Sequence, residues 1–319
     1  MIAPRLLIWV TLLILPGLLE FSSSAQPVSA AAVHETRTSE GDLELGGELG
    51  GVSAGQRRYV RYVRYEELLA MPQETYTVAD DSNFKGTTEI SGVPLTALAK
   101  LFGQAAHSDL IVAICYDKYR ANYPKEYLAI HHPILVLKIN GQLRDKWPAS
   151  EYNTSMGPYM ISHPTFKPKF NVLSHKDEPQ VPFGVTRLDF RTQSVVFGTI
   201  KPAGNWAEDS AVWQGYRIAR EDCYRCHGLH GEGGELASRS WLVLAAWAAT
   251  DAGRFKQYIR NPQSILACAK MPAHVEYDDA TLEVISAYFK TFALPQGAQL
   301  ARDQAMRGKS KNLQPKKAH

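Results

Sequence analysis

The sequence predicts a multidomain protein in which a β-rich α+β domain is followed by an all-α domain. Its 319 residues are enough for two domains of ordinary size. Alternating β-prone segments and turn signals prevail up to about residue 201, and helical periodicity prevails beyond the short linker Pro202–Asn205. A composition of 45% hydrophobic and 21% charged residues can fill buried cores, and a formal net charge of +3 does not suggest nucleic-acid binding.

The N-terminal residues 1–30 have the layout of a secretory signal peptide. Arg5 supplies a positive charge, the apolar stretch Leu6–Leu19 follows, and small residues then offer cleavage after Ala25 or Ala30. The alternative is an uncleaved membrane anchor, but this stretch is interrupted by Pro16-Gly17 and is shorter than the roughly 20 residues that span a bilayer. We therefore expect cleavage, a periplasmic location and no stable transmembrane segment in the mature chain.

The first domain is expected over residues 59–201. Residues 31–58, rich in Gly, Ser, Ala and Glu, predict a flexible lead-in to it. An alternating stretch, Tyr59–Tyr65, begins the domain, and apolar residues at helical spacing predict one short helix over residues 95–102. The Pro-, Ser- and His-rich stretch 147–182 predicts long loops. Further strands are predicted at Leu110–Tyr116, Ile134–Ile139, Val185–Phe190 and Ser194–Ile200.

The second domain is expected over residues 202–293. Its predicted helices are Ala211–Glu221, Asp251–Arg260 and Ala280–Phe292. Apolar residues in the last helix recur at steps of three and four residues and form one buried stripe. Residues 294–319 carry an excess of Lys and Arg, which predicts a solvated, disordered basic tail rather than a docking patch.

A Cys-x-x-Cys-His motif, Cys223–His227, follows the first of these helices and matches the pattern of covalent haem c attachment. Two thiols one helical turn apart can each bond to a vinyl group on one porphyrin edge, and the next histidine then lies under the iron. A zinc site would need two further ligands at matched spacing, and a redox dithiol would need a thioredoxin-like βαβ setting; neither is visible. We expect one covalent haem c, bound by Cys223 and Cys226 and ligated by His227.

Met271, which precedes Pro272 between two predicted helices, is the candidate for the second axial ligand. Taken alone, this methionine could equally be a core residue.

Around these residues the chain resembles the class I cytochrome c family. The resemblance covers about residues 205–293, and the matching segments are Gly215-Tyr216, Cys223–Gly228, Tyr258–Pro262, Lys270–Pro272 and Tyr288-Phe289. It implies a small helical bundle around the haem, with His227 and Met271 as axial ligands. A thioether opposite an imidazole favours reduced iron and raises the reduction potential.

The segment after the motif departs from that family, which usually has a Gly-Pro pair whose proline carbonyl orients the ligating histidine. Here the sequence Gly231–Leu236 contains no proline, so a different carbonyl must accept the hydrogen bond from the His227 ring. The apolar run Trp241–Ala249 is too short to span a membrane and is expected to line the haem pocket.

The first domain resembles part of the molybdopterin-binding domain of the sulfite oxidase family. Five segments match in order and spacing: Glu67–Pro72, Gly92–Leu95, Asp117–Tyr119, Leu135–Gly141 and Gly157–Tyr159. In that family a cysteine binds molybdenum, whereas the corresponding stretch here, Thr75–Phe84, has no cysteine.

The missing cysteine removes the thiolate that would bind molybdenum in the first domain. Asp80 and Asp81 are poor substitutes for a thiolate on molybdenum, and Cys115 lies farther along, in a predicted strand. We therefore expect a derived domain that keeps the β-rich fold without molybdopterin, and we assign no catalytic residue.

Other histidines and cysteines could also carry chemistry. His131, His163 and His175 are scattered through the first domain, and such histidines are usually structural or solvated. Cys115 and Cys268 could form a disulfide in an oxidising compartment, but two separate thiols are the preferred interpretation because the sequence does not place them within bonding distance.

The sequence thus predicts an exported monohaem c-type cytochrome that exchanges single electrons with a redox partner protein, while its first domain docks that partner or positions the haem. Two alternatives stay open. One is a molybdopterin-dependent dehydrogenase with its own haem acceptor, and the other is a small-ligand binding or sensing module coupled to a haem.

Overall fold

The computed structural model describes residues 32–47, 59–103, 107–150, 153–202 and 204–293. The predicted signal peptide and the predicted basic tail lie outside the described residues. Within them the chain has a mixed α/β, multidomain fold, in which a large sheet with short helices precedes a group of longer helices. None of the helices in the described part combines the length and the apolar character needed to cross a bilayer.

Ten strands of the described residues form one sheet, and two more form a small hairpin. The strands are β1 (Leu43–Gly47), β2 (Tyr59–Val63), β3 (Glu74–Val78), β4 (Thr88–Pro94), β5 (Leu110–Cys115), β6 (Arg120–Pro124), β7 (Ile134–Ile139), β8 (Gln142–Leu143), β9 (Tyr159–Ser162), β10 (Asn171–Val172), β11 (His175–Lys176) and β12 (Phe183–Arg191). The sheet order is β2-β1-β12-β9-β7-β4-β3, with β5 joined to β12 and β6, and β8 to β7. β1 and β12 are parallel, and the other pairs are antiparallel.

The helices are short in the sheet region and longer after it. They are α1 (Tyr65–Ala70), α2 (Leu95–Leu101), α3 (Lys125–His131), α4 (Gln193–Val196), α5 (Ala211–Glu221), α6 (Trp241–Thr250), α7 (Ala252–Arg260), α8 (Pro262–Ile265) and α9 (Asp279–Lys290). Turns of 3-10 helix cover Arg144–Lys146, Phe197–Ile200 and Cys223–Arg225.

The sequence prediction is confirmed for three strands and wrong for a fourth. β5, β7 and β12 lie where strands are predicted. Ser194–Ile200 instead forms the end of α4 and a 3-10 turn. Val196, Phe197 and Ile200 are buried in the same core as the later helices. Their spacing fits one face of a helical turn, and this contact outweighs the β propensity of the β-branched residues.

Two stretches predicted to lack regular structure contribute strands to the sheet. The expected flexible lead-in contains β1, whose Leu43 and Leu45 are fully buried. The expected loop region 147–182 contains β9, where Tyr159 and Ile161 are fully buried. Both strands are only four or five residues long, and nearly all of their residues are buried, so an alternating pattern is short in β1 and absent in β9.

The two parts of the chain share a hydrophobic core, because β5 is buried on both faces. Successive residues of a strand point to opposite faces. Ile111 packs with α1 and α2 on one face of the sheet. Val112 packs on the other face in a core that also contains residues of α5, α6 and α9. The later helices are therefore held against the sheet, which places the segment after α5 beside β6.

Candidate functional site

The Cys-x-x-Cys-His motif forms one compact turn at the end of α5. The backbone amides of Cys226 and His227 donate to the Cys223 carbonyl at 3.2 and 2.9 Å. The side chains of these three residues line one cavity, and Met271 lines the same cavity. The structure thus brings together the four residues that the sequence singles out.

The walls of this cavity are mainly apolar, and α6, α7 and α9 contribute much of the apolar surface. Leu244 and Trp247 belong to α6, Phe255 to α7, and Ile285 and Phe289 to α9. The expectation that the apolar run 241–249 lines the pocket agrees with the position of α6. Such walls exclude water and suit a planar apolar group better than a hydrated ion.

His227 is oriented by the backbone of the following loop. Its Nδ1–H donates a hydrogen bond to the Arg239 carbonyl at 2.5 Å. Burial lowers the pKa of His227 and outweighs the opposing effect of this hydrogen bond, so the ring is neutral near pH 7. With Nδ1 as the donor, the lone pair on Nε2 is available to a metal. The Arg239 carbonyl is therefore the acceptor that holds the His227 ring in place.

The Met271 loop is fixed by contacts with α8. The side chain of Asn261 accepts a hydrogen bond from the Ser264 amide and caps that helix. Gln263 Nε2 donates to the carbonyls of Ala269 and Met271 at 2.9 and 3.2 Å. The Met271 side chain is partly buried against the helical core. The thioether is therefore presented by a loop whose backbone is held in place.

Glycines allow the loop after the motif to fold closely beneath it. A Cβ at Gly234 would lie 1.8 Å from the Arg225 carbonyl oxygen. Gly233 has φ +76°, a left-handed conformation that favours glycine. The Gly234 amide donates to the Tyr224 carbonyl at 2.9 Å. The glycine-rich segment without proline is therefore the part of the chain that wraps around the motif.

Residues of the sheet region form ion pairs with this loop and complete the cavity wall. Glu232, in the loop, pairs with Arg191 of β12 at 2.7 Å and with Arg120 of β6 at 3.3 Å. Tyr119 and Glu178, both from the first part of the chain, line the same cavity as Cys223. The candidate site is therefore built by both parts of the chain rather than by the helices alone.

A buried network of charged and polar side chains lies beside Cys223. His175 Nδ1 is 2.9 Å from the Tyr277 hydroxyl, and its Nε2 is 3.3 Å from a Glu221 carboxylate oxygen. The Tyr277 hydroxyl donates to Asp222. Burial lowers the pKa of His175, but hydrogen bonds and charges of Asp222 and Glu221 outweigh burial and raise it to about 10. His175 is therefore an imidazolium at neutral pH.

Part of this network has the composition of a cation site. His175, Glu178 and Asp222 place ligand atoms within 4.8 Å of one another. However, the Arg225 guanidinium lies 3.6 Å from Glu178 and 3.7 Å from Asp222, and the His175 imidazolium adds a second positive charge. The carboxylates are thus neutralised by side chains of the protein, which fits a structural role for His175, as the sequence analysis favours.

The raised pKa of His175 predicts a pH-dependent contribution to stability. The pKa of His175 is about 10 in the folded protein and about 6.5 in the unfolded chain. The interactions of the charged ring therefore stabilise the folded protein fully below about pH 6.5, and this stabilisation is lost as the pH rises through about 10. The free energy of unfolding of the wild type, relative to His175→Gln, should fall between these limits by about 1.4 kcal/mol per pH unit. Denaturant titrations at several pH values measure this difference. His107→Gln, at an exposed histidine, is the control. The free energy of unfolding of the wild type relative to this variant should not show the same fall with pH.

The carboxylates of Asp80 and Asp81, in the stretch Thr75–Phe84, accept hydrogen bonds from within the protein. Asp81 accepts from the Ser162 hydroxyl at 2.6 Å and from the Asn83 amide at 2.8 Å. Asp80 accepts from the Phe166 amide at 2.7 Å. Both carboxylates therefore have structural hydrogen-bond partners.

The remaining cysteines are free thiols. Cys115 is buried in β5, whereas Cys268 is exposed in the loop before Met271. This agrees with the interpretation that they are unrelated.

Sequence reasoning missed three contributors to the site: the Arg239 carbonyl, Tyr119 and Glu178. A backbone acceptor leaves no signal in residue type. Tyr119 and Glu178 reach the cavity only because the helices pack on the sheet, and the predicted domain boundary hid that contact.

Comparisons with known proteins find distant structural likenesses only among solved structures. No protein-family model matches the sequence, and no curated protein matches it. Among solved structures, the sulfane dehydrogenase SoxCD from Paracoccus pantotrophus matches with a TM-score of 0.32 and 16% sequence identity. The match covers 49% of this chain and 40% of that chain.

Proposed function

We propose that this protein is an exported c-type cytochrome that carries single electrons in the periplasm. The observation that supports this most is the convergence of Cys223, Cys226, His227 and Met271 on one apolar cavity. The donor set fits a haem, since it offers two thiols for attachment, a neutral imidazole and a thioether. The one-electron couple of a haem iron would supply the redox chemistry.

Each part of the site has a role in that function. Cys223 and Cys226 would attach the haem, and the Arg239 carbonyl fixes the tautomer and ring orientation of His227. The apolar side chains of α6, α7 and α9 exclude water, which favours the less charged, reduced state and raises the potential. Met271 would also raise the reduction potential, because a thioether stabilises ferrous iron.

The first domain, in this proposal, is a derived sulfite-oxidase-like domain that positions the haem-binding segment and docks a redox partner protein. The ion pairs of Glu232 with Arg191 and Arg120 support the positioning role. The internal hydrogen bonds of Asp80 and Asp81 support a domain without bound molybdenum, because they engage both carboxylates of the stretch Thr75–Phe84, which lacks the cysteine that the family uses.

Metal analysis of the matured protein separates an electron carrier from an enzyme. We expect protein from a host that makes both c-type haem and molybdopterin to contain about one iron per chain and essentially no molybdenum. It should exchange electrons with small mediators, and sulfite should not reduce it. Stoichiometric molybdenum, or haem reduction by sulfite, would instead support the molybdopterin-dependent dehydrogenase.

A further inference from the structure

The outer face of α6 is apolar and open to solvent. This helix, Trp241–Thr250, carries no charged side chain. Its inner face packs in the helical core, whereas Val243 is 48% exposed, and Ala246 and Ala249 are exposed as well. A helix that is apolar on all sides is normally buried on all sides. The exposed face of α6 therefore has the character of a contact surface.

This face forms one wall of an open groove of about 470 Å³, which we call the α6 groove. Val243 and Trp247 of α6 line the groove together with Tyr258 of α7. Leu266, directly after α8, is 41% exposed and lines it as well. Exposed apolar side chains around a concave surface are typical of protein contact sites. Because the groove is concave, its floor can receive a protruding side chain of a partner but cannot enter a bilayer.

One layer of side chains separates the α6 groove from the candidate haem cavity. Trp247 and Tyr258 line both. A partner seated in the groove therefore comes within one aromatic side chain of the cavity that Cys223 and Cys226 line. Electron transfer requires a close approach of the two redox centres, so this place suits a redox partner.

The charged groups that line the groove are two arginines and one aspartate. Arg254 is exposed, and its side chain forms no ion pair among the residues that the structure describes. Arg239 donates to the Tyr258 hydroxyl at 3.1 Å, and its guanidinium lies 5.6 Å from the centroid of the Trp247 ring. Asp251 Oδ1 accepts from the Arg254 amide at 3.0 Å and caps α7. The groove therefore has a net positive charge, which carboxylates on a partner would complement.

This charge decides between the possible occupants of the groove. A symmetric contact with a second copy of the chain would bring the same arginines of both copies together. The C-terminal residues 294–319 have an excess of Lys and Arg and carry the same sign of charge as the groove. Like-charge repulsion opposes both of these occupants, whereas an acidic partner surface is attracted.

We propose that the α6 groove docks a redox partner protein that presents an apolar side chain flanked by carboxylates. This inference rests on the proposed electron-carrier function and adds the chemistry of the partner's docking surface. The apolar side chain would pack against Val243 and Leu266, and a carboxylate would pair with Arg254. Charge pairs at an exposed rim speed association and fix the orientation, while the apolar contact stabilises the complex.

Three short peptides test this chemistry on the reduced, full-length holoprotein: acetyl-Glu-Leu-Leu-Glu-amide, acetyl-Lys-Leu-Leu-Lys-amide and acetyl-Glu-Ser-Ser-Glu-amide. In ¹H–¹⁵N NMR titrations the first peptide should shift the signals of the groove residues with a dissociation constant on the order of 1 mM, as expected for a small ligand on an open surface. The other two should bind at least about threefold more weakly, since each lacks either the charge or the apolar match. Equal binding of the three peptides, or no shifts with about 20 mM of the first, would overturn the proposal.

Variants locate the binding to the α6 groove. Val243→Ser and Arg254→Gln should each weaken binding of the first peptide about threefold or more. Val195→Ser and Lys256→Gln are the matched controls. Val195 is a 39% exposed side chain of α4, and Lys256, also in α7, pairs with Glu283 at 2.7 Å outside the groove. Both controls should keep the affinity, and unchanged binding in the first two variants would contradict the proposal.

The same samples distinguish the other occupants and the failure of the proposed function. Dimerisation in analytical ultracentrifugation, or binding to phosphatidylglycerol vesicles, that Val243→Ser abolishes would assign the groove to a second copy or to a membrane and would overturn the proposal. Tighter peptide binding after removal of residues 294–319 would assign the groove to that segment instead. Covalent haem content and the visible spectrum, measured in parallel, report on the electron carrier itself. A haem-loaded protein that does not bind the first peptide contradicts the docking proposal alone.

Discussion

Met271→Ala is expected to remove the methionine–iron charge-transfer band of the oxidised protein and to lower its reduction potential. The thioether stabilises ferrous iron better than the water or hydroxide that would replace it. The potential should fall by on the order of 0.1 V or more, within the roughly 0.8 V range that axial ligands span. Spectroscopic redox titration of the wild type and the variant measures both effects.

Two control variants make this experiment specific. Val275→Ala changes a 72% exposed side chain in the same loop and should leave the band and the potential unchanged. His274 lines the same cavity and stacks on Tyr277, so His274→Ala tests the competing ligand. If Met271→Ala leaves the spectrum and the potential unchanged while His274→Ala changes both, His274 is the ligand and the assignment of Met271 is wrong.

Gly215→Ala is expected to produce a large loss of stability, because this glycine lies in the contact between α5 and α9. α5 and α9 cross at Gly215, and a Cβ there would lie 2.0 Å from the Val284 carbonyl oxygen and 2.7 Å from Tyr288 Cβ. The obstructing atom is backbone, so the two helices must move apart. Overpacking costs about 1–3 kcal/mol, and we expect the upper end of that range in chemical denaturation of the holoprotein.

Gly253→Ala, in α7, is the matched control. The nearest atom to a Cβ there is Asp251 Oδ1 at 3.8 Å, so the methyl group meets open space. Because alanine favours helix over glycine, the free energy of unfolding should stay unchanged or rise by up to about 1 kcal/mol. Equal effects of the two substitutions would mean that the close crossing at Gly215 does not limit packing.

The parts of the fold that the sequence predicts are those with strong local patterns. β5 and β7 are near-continuous apolar runs, and α9 has an apolar stripe behind an aspartate N-cap, Asp278, whose side chain accepts from the Thr281 amide at 2.8 Å. The position of β1 and the helical state of residues 194–200 depend on long-range packing. No local pattern could reveal that packing.

The candidate site likewise has some residues that the sequence predicts and others that it does not. Cys223, Cys226 and His227 are recognisable because the chemistry fixes their spacing, and Met271 stands out beside Pro272. The contribution of the sheet region is different, since Tyr119 and Glu178 reach the cavity through the packing of β5 against the later helices. Sequence reasoning that treats the two parts as separate domains cannot find it.

The central claim, that a haem is covalently bound through Cys223 and Cys226, is tested most directly on denatured protein. Chain produced with the c-type maturation machinery should retain haem through acidified-solvent extraction and denaturing electrophoresis, at about one per chain. The double variant Cys223→Ser/Cys226→Ser should retain none, whereas Cys115→Ser and Cys268→Ser should retain the wild-type amount. Haem that extracts completely from the wild-type chain would contradict the account.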